Sequence, residues 1–258
     1  MLDFSDTKTF QENLNTLIDN ALTEKQEQQT PRHYLGGSRL GVACSRALQF
    51  EFTKTPKDSE KHFDGKILRI FEAGHVFEDL AINWLRLAGF ELQTEQADGT
   101  QYGFSAVNGQ LQGHVDGVVT GAPEPLGLTG FPMLWECKSL NDKSWRDTVK
   151  KGLTLSKPIY AAQIATYQAY MEGSVQGISQ NPALFTAINK NTAELYHELM
   201  PFDAALAQKA SDKAVTILRA TEAHELLPPI STDPTYFACR FCAWAERCQQ
   251  FTSSTKGN

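Results

Sequence analysis

The sequence predicts an α/β fold with a mixed β-sheet, and three observations lead to this prediction. A helical pattern of apolar residues covers 70–88 and ends at Gly89, a common residue just after a helix. Short runs typical of strands then follow at about 90–95, 101–107, 110–119 and 133–139. A second helix over 158–171 and a hairpin that turns at Asn191 come after these strands. Helices before and after a group of strands indicate a sheet covered by helices.

The two ends of the chain are predicted to differ from this central part. Residues 1–30 form a polar arm that is helix-prone from residue 7, and residues 31–250 form a single domain. Its last long helix runs from about 203 to 227 and is ended by two prolines. Residues 251–258 are polar and small, and a disordered tail is predicted there.

Composition narrows the class of protein. The chain has 258 residues, 41% of them hydrophobic, which is enough for a sizeable core. No apolar stretch approaches the roughly 20 residues that cross a bilayer, and the first residues lack the pattern of a secretion signal, so a cytoplasmic protein without a membrane partner is expected. The net charge of −6 argues against broad coating of nucleic acid but allows a local basic groove.

Two segments carry the main chemical signal. The segment GHVDGVV holds Asp116, and LWECKSL holds Glu136 and Lys138. Alternate residues of a strand face the same side, so Glu136 and Lys138 are predicted to project together. If GHVDGVV is the neighbouring antiparallel strand, Asp116 lies beside Glu136, and two carboxylates can bind a hard divalent cation next to a lysine. A surface ion pair on an amphipathic strand is the alternative interpretation.

Glu78 is the third acidic candidate. On the helix over 70–88 its neighbours are Gly74, Ala81, Ile82 and Leu85, and a carboxylate on an apolar face is costly unless it is paired or bound to metal. A position close to the metal is predicted, and a core carboxylate paired with a basic side chain is the alternative.

The segment after LWECKSL is a candidate for nucleic-acid contact. It is a basic stretch, predicted to be a loop, that includes Lys143, Lys150 and Lys151. The helix that follows has Gln163 and Tyr167 one turn apart, a pair suited to contacts with a nucleic-acid backbone or base. Tyrosines at helical spacing are more often part of a core, which is the competing interpretation.

The cysteines predict a separate metal site. Cys239, Cys242 and Cys248 follow a Cys-x2-Cys-x5-Cys pattern, which is typical of a soft-metal site rather than of buried apolar residues. Cys44 is the candidate for the fourth ligand, because Cys137 is expected to face the core, away from Glu136 and Lys138. Zinc and iron–sulfur clusters both accept four cysteines, and the spacing alone does not separate them.

Together these residues resemble the PD-(D/E)xK nucleases of the RecB-like exonuclease group. The resemblance extends from Cys44 to Cys248, nearly the whole chain, and is greatest to the iron–sulfur branch, which includes the CRISPR-associated exonucleases. Glutamate at position 78, where most iron–sulfur members have histidine, is more similar to the phage recombination exonucleases. The positions that match family motifs are Gly74, Glu78, Asp116, Glu136, Lys138, Gln163, Tyr167 and the four cysteines Cys44, Cys239, Cys242 and Cys248.

The resemblance implies a fold and an activity. The fold is a restriction-endonuclease-like mixed sheet flanked by helices, whose N- and C-terminal segments are joined by a cysteine-ligated 4Fe–4S cluster. The activity is a magnesium- or manganese-dependent DNA exonuclease, with Glu78, Asp116 and Glu136 at the metal and Lys138 at the phosphate. The setting is bacterial or phage recombination, repair or CRISPR-type DNA processing, with a possible recombination or CRISPR-adaptation protein partner. The competing class is an inactive DNA-binding protein with a structural zinc or iron–sulfur site.

Overall fold

The structure is a computed structural model, and it describes residues 9–30, 32–59, 61 and 64–254. The helices of these residues are α1 (Phe10–Glu27), α2 (Ser45–Phe52), α3 (Gly65–Leu87), α4 (Asp142–Lys151), α5 (Leu153–Ser156), α6 (Pro158–Met171), α7 (Ala204–Glu222), α8 (Phe237–Arg240) and α9 (Ala245–Ser254). The strands are β1 (Leu35–Gly36), β2 (Glu91–Gln93), β3 (Gly103–Ala106), β4 (Leu111–His114), β5 (Gly117–Gly121), β6 (Met133–Leu140), β7 (Ala183–Asn189) and β8 (Leu195–Met200). The order confirms the predicted α/β class.

The larger sheet has five strands in the order β2-β5-β6-β7-β8. Only the β6–β7 pair is parallel, and the other three pairs are antiparallel. The sheet is therefore mixed, as predicted. The parallel pair is joined by α4, α5 and α6, as a crossover between parallel strands requires.

The predicted single strand over 110–119 is two strands, which is a correction. β4 belongs to a second sheet of three strands, in the order β1-β4-β3, and β5 belongs to the larger sheet. The chain leaves one sheet after His114 and enters the other at Gly117. Local pattern indicates extended backbone in both halves, but it does not show which neighbours each half pairs with.

Two apolar layers enclose the larger sheet. On one side α3 contributes Ala81 and Leu85 to a core with Trp135 of β6. On the other side α6 packs against β6 and β7 through residues such as Ile164. Most positions of α6 are buried, which is typical of a helix covered on several sides. A third core joins α2 and α7 to the smaller sheet.

Three other local predictions need correction. The basic stretch after β6 is not a loop, because it forms α4 and α5, with Asn141 capping α4 through a bond from the backbone N–H of Ser144 at 2.9 Å. The helix predicted over 203–227 ends at Glu222. The last helix, α9, continues to Ser254, into the range predicted to be disordered, while residues 255–258 of that tail and residues 1–8 of the predicted arm lie outside the described residues.

The end segments lie against the body of the molecule through polar contacts. The arm helix α1 has no buried residue among its members and is joined to α3 by Arg69–Asp19 and Lys25–Glu72 ion pairs. At the other end, Asp58 accepts the backbone N–H groups of Glu246 at 2.9 Å and Arg247 at 3.3 Å. Among the described residues, no helix is both long and apolar enough to cross a membrane.

Candidate active site

Asp116 lies at the point where the pairing of β5 with β6 ends. Gly117 pairs with Trp135, and the chain before Gly117 turns away toward the smaller sheet. The Oδ2 atom of Asp116 then accepts the backbone N–H of Cys137 at 2.8 Å, so a carboxylate takes the place of the next strand bond. This contact fixes Asp116 beside the following residues of β6.

Glu136 and Lys138 project from the same face of β6, as predicted from the alternation of strand residues. Glu136 is fully buried, and Lys138 Nζ forms an ion pair with its Oε1 atom. Lys138 Nζ also lies 3.8 Å from Asp116 Oδ2 and donates to the carbonyl of Cys137 at 3.0 Å. The three residues of the sequence signal therefore meet, with Glu136 fully buried and Lys138 and Asp116 only partly exposed, rather than as a surface ion pair.

Glu78 faces these residues from α3. It lines a groove that Lys138 also lines, and its charge acts on both Glu136 and Cys137. On the same helix the imidazole of His75 lies close to it, with 4.0 Å between His75 Nδ1 and Glu78 Oε2. His75 is exposed, as its place on the polar face predicts. We refer to Glu78, Asp116, Glu136 and Lys138 as the acidic site.

The ionisation of the acidic site reflects burial and mutual repulsion. Burial, followed by the charge of Asp116, raises the pKa of Glu136 to about 8 and that of Glu78 to about 7. Burial alone would lower the pKa of Lys138, but the carboxylates of Glu136 and Asp116 outweigh it and hold that pKa above its usual range. The lysine is thus kept charged, and the carboxylates repel one another.

The acidic site fits a hard divalent cation in its chemistry. Its donors are carboxylate oxygens, which magnesium and manganese prefer, and a cation would relieve their repulsion. The Oε2 atom of Glu136 is buried and has no hydrogen-bond partner within the described part of the chain. Buried carboxylate oxygens in proteins normally have a hydrogen-bond partner or a bound cation, so this atom is open to a cation. In the arrangement of the described residues, however, no three His, Cys, Asp or Glu side chains are grouped closely enough to hold a metal.

Gln163 and Tyr167 lie inside the protein, which differs from the expected contact with nucleic acid. Gln163 is buried and donates from Nε2 to Glu136 Oε1 at 2.6 Å. Tyr167 is buried against Phe104, with 5.6 Å between ring centroids. A Cβ atom at Gly113 would lie 2.6 Å from the Tyr167 ring, so a glycine is required there. The sequence did not reveal the bond from Gln163 to Glu136, because it joins two elements far apart in the chain.

The predicted lysine contacts lie elsewhere on the surface. Lys143, Lys150 and Lys151 are exposed on α4, and Lys151 pairs with Asp147 at 2.7 Å. None of the three is among the residues that line the groove of the acidic site. Whether they contact DNA stays a prediction.

The groove beside the acidic site has a basic wall that the sequence analysis did not identify. Its cavity volume is about 2040 Å³, and it extends from Glu78 and Lys138 to Cys239 and Cys242. Eight of its lining residues are Lys or Arg and five are Asp or Glu, in a chain whose net charge is −6. The basic residues come from separate loops and helices, and no continuous run of sequence signals them. The lining includes Lys25, Arg32, Arg39, Lys54, Lys57 and Lys61.

The four predicted ligand cysteines line this same groove. None of them is in a disulfide. Burial, followed by the charges of Cys44 and Cys248, raises the pKa of the Cys239 and Cys242 thiols. As the described residues are placed, however, the four sulfurs are not grouped closely enough to hold a metal. We refer to Cys44, Cys239, Cys242 and Cys248 as the cysteine site.

The chemistry of the cysteine site fits zinc or an iron–sulfur cluster, since both are held by thiolates. A further basic group lies against it, with Arg46 Nη1 3.4 Å from Cys248 Sγ. Cys137 is buried in the core with Trp135, as predicted.

Comparison with solved structures identifies similar folds. No family model and no curated protein sequence matches the chain. The structure of SSO0001 matches with a TM-score of 0.50 at 16% identity, over 94% of this chain and 98% of that one. LHK-Exo in complex with dAMP matches with a TM-score of 0.51 at 16% identity, over 74% and 89%. A further structure of LHK-Exo, described as an alkaline exonuclease from Laribacter hongkongensis, has a TM-score of 0.49 at 17% identity, over 75% and 90%.

At such low identity the likeness concerns the fold alone. The chain has a fold similar to that of LHK-Exo, which confirms the predicted mixed α/β architecture. The cysteine-ligated cluster that the resemblance adds to this architecture stays a prediction.

Proposed function

We propose that this protein is a metal-dependent DNA exonuclease that hydrolyses phosphodiester bonds. The observation that carries the proposal is the meeting of Asp116, Glu136 and Lys138 where the β5–β6 pairing ends, with Glu78 facing them across the groove. The fold shared with LHK-Exo supports it, and that protein's structure holds dAMP, a nucleotide.

The residues of the acidic site have separate roles in this proposal. Asp116, Glu136 and Glu78 would hold magnesium or manganese. When bound, such a cation supplies Lewis-acid activation of water and stabilises negative charge on the phosphate. Lys138 stays charged beside the carboxylates and binds the non-bridging oxygens of the phosphate, where charge develops in the transition state. Gln163 holds the Oε1 atom of Glu136, which leaves Oε2 for the cation.

We also propose that the cysteine site holds a structural 4Fe–4S cluster. The support is the convergence of four thiols on one groove, beside the guanidinium of Arg46. Such a cluster would join Cys44, near the start of the domain, to the C-terminal segment. The setting in DNA recombination, repair or CRISPR-type processing, and a protein partner in it, stay predictions of the sequence resemblance.

The test of the activity is digestion of end-labelled single- and double-stranded linear DNA with magnesium, with manganese and with EDTA. We expect digestion that depends on the cation and is abolished in Asp116→Asn and in Glu136→Gln. Both variants keep the shape of the side chain and remove its charge. Asp212→Asn is the control, because Asp212 is an exposed acid on α7 outside the groove.

The same experiment separates the competing function. Wild-type protein that binds DNA well but releases no nucleotides with either cation would be the inactive DNA-binding protein. Manganese titration followed by electron paramagnetic resonance measures cation binding separately from activity. Both isosteric variants should lose the high-affinity manganese binding that Asp212→Asn retains.

A further inference from the structure

We propose that an exposed aromatic patch, formed by the cysteine-bearing helix α8 and the residue that follows it, binds the bases of single-stranded DNA and guides the strand toward the acidic site. We refer to Phe237, Phe241 and Arg240 as the aromatic patch. The inference rests on the proposed function, and it adds a binding site and the kind of strand that the groove receives.

The aromatic patch is unusually exposed for its composition. Phe237 is 77% exposed and Phe241 is 64% exposed, although large aromatic rings are normally buried. Their centroids lie 5.3 Å apart in an edge-to-face arrangement, and the Arg240 guanidinium lies 5.0 Å over the Phe241 ring. Two adjacent rings with a guanidinium beside them offer flat faces on which a base can stack.

The aromatic patch is continuous with the groove of the acidic site. Phe241 lines the same cavity as Glu78 and Lys138. The lining of this cavity also includes Arg32, Lys54 and other basic side chains, and as a whole it has more positive than negative groups. In a chain with a net charge of −6, this local excess is complementary to a phosphate backbone.

Charge and aromatic surface together indicate a single strand rather than a duplex. A basic wall contacts the backbone of either form of DNA. A stacking surface, however, requires a base whose face is free, and the bases of a duplex are already stacked on one another. The strand therefore reaches the acidic site with its phosphates along the basic wall and with bases against Phe237 and Phe241.

The position of the aromatic patch also links it to the cysteines. Phe237, Arg240 and Phe241 surround Cys239 in sequence, and Cys242 follows directly. Ligation of these two cysteines would fix the short helix that carries the rings. The cysteine segment then has a direct part in binding the substrate, in addition to its role in holding the fold together.

The test compares two ligands with three proteins. Fluorescence anisotropy in EDTA, which prevents cleavage, measures binding of an oligothymidylate and of an oligomer of equal length whose sugars lack bases. The proteins are the wild type, the double variant Phe237→Ala/Phe241→Ala, and the control Phe10→Ala, which removes an 83% exposed ring outside the groove. We expect the wild type and the control to bind the oligothymidylate about tenfold more tightly than the abasic oligomer.

In the double variant this preference should disappear, because its binding of the oligothymidylate falls to the level of the abasic oligomer. Equal binding of both ligands by the wild type would overturn the proposal, and so would a preference that survives in the double variant. A wild-type dimer that dissociates in the double variant, measured by light scattering, would show that the rings bind a second copy instead. Phe241→Trp keeps a stacking face, so it should retain the preference.

Failure of the aromatic patch and failure of the proposed function give different results in these experiments. Base-dependent binding without digestion would refute the nuclease activity and keep the aromatic patch. Digestion by a wild-type protein that binds both oligomers equally would support the nuclease activity and refute the aromatic patch.

Discussion

The acidic site and the cysteine site are built in different ways, although they share one groove. The acidic site lies on the central sheet, where Glu136 is fully buried and is held by Lys138 and Gln163. The cysteine site lies between two end segments, and its four thiols are only partly buried. Its surroundings are arranged by other contacts, such as the bond from the indole N–H of Trp244 to the carbonyl of Thr55 at 2.8 Å.

This difference concerns how each site is held in place. The core around β6 and bonds within the protein hold Asp116 and Glu136 in place, so the proposed cation would bind beside carboxylates that the fold already positions. The C-terminal segment is held by ring contacts of Trp244 and Phe251 with Phe50 and by hydrogen bonds to Asp58 and Thr55. In the proposal, the cysteine site adds a further link. Replacing a carboxylate of the acidic site should therefore abolish activity. Replacing a cysteine of the cysteine site should instead loosen the C-terminal segment.

The largest effect is expected for Lys138→Ala. This change removes the cation beside Glu136 and Asp116 but keeps both carboxylates and the basic wall. Cleavage should fall by about 10²- to 10³-fold, because the lost contact matters chiefly in the transition state, while DNA binding changes little. Single-turnover digestion and anisotropy measure the two quantities, with Lys209→Ala, an exposed lysine on α7, as the control. Full cleavage by Lys138→Ala would place the active centre elsewhere.

The next effect concerns the cluster, for which Cys248→Ala and Cys137→Ala form a matched pair. Protein purified without oxygen should contain iron and acid-labile sulfide. Cys248→Ala should lose both and become more sensitive to proteases near its C-terminus, because the segment loses a ligand. Cys137→Ala should retain its iron, since Cys137 lies in the core with Trp135. Stoichiometric zinc without iron in the wild type would refute the iron–sulfur cluster.

A smaller effect on catalysis is expected for Gln163→Leu. Gln163 positions Glu136 through the 2.6 Å bond to Oε1, and a misplaced ligand binds the cation less well. Cleavage at limiting manganese should fall about tenfold, as is typical of groups that orient metal ligands, and should recover at high manganese. Gln168→Leu is the control, because Gln168 is buried on the same helix but donates to Ile178 and Asn181 instead. Equal losses in the two variants would assign Gln163 a purely structural role.

The acidic site should also make stability depend on pH. The pKa values of Glu78 and Glu136 are raised to about 7 and about 8 in the folded chain, so folding favours their protonated forms. Without a divalent cation, stability should therefore fall as pH rises from about 4.5 to about 8, and it should fall no further through these groups above that range.

Thermal unfolding in EDTA and in magnesium measures this dependence. Magnesium should raise the midpoint more at about pH 9 than at about pH 5, because the cation binds the ionised carboxylates. Glu136→Gln should flatten the curve measured in EDTA. A curve that is already flat in the wild type would contradict the raised pKa values.

The smallest effect is expected for Asp58→Ala. Asp58 accepts two backbone N–H groups at the start of α9, and loss of such a cap costs about 1–2 kcal/mol. The loss should be local and should appear as faster proteolysis of the C-terminal segment. Asp203→Ala removes the corresponding bond at the start of α7 and should leave that segment unaffected. Equal protease sensitivity of the two variants would show that the C-terminal segment is not held by Asp58.

Much of the fold is predictable because it depends on local pattern. The period of apolar residues locates α3 and α6, and Asn191 lies in the turn between β7 and β8. The division of the 110–119 run into β4 and β5 was not predictable in this way. It depends on which strands lie alongside each half, and those strands come from distant parts of the chain.

The acidic site was predicted in part, because some of its geometry also depends on local pattern. Residues Glu136 and Lys138 are two apart on one strand, so their shared face follows from strand geometry alone. The burial of Gln163 against Glu136 depends on how α6 crosses β6, which no local pattern encodes. The basic wall was missed because its lysines and arginines are scattered over several elements.

The sequence by itself determined most of the helices and strands and the residue types at the two candidate sites, because residue chemistry and apolar period are local properties. It predicted oxygen donors at one site and sulfur donors at the other, and it excluded Cys137 from the second. Only the tertiary structure decided that both sites share one groove, that Phe241 lines it, and that Phe237 lies exposed beside Phe241. The physical reason is that burial, local electric field and shared surface depend on which distant segments pack together, and packing is a property of the whole chain.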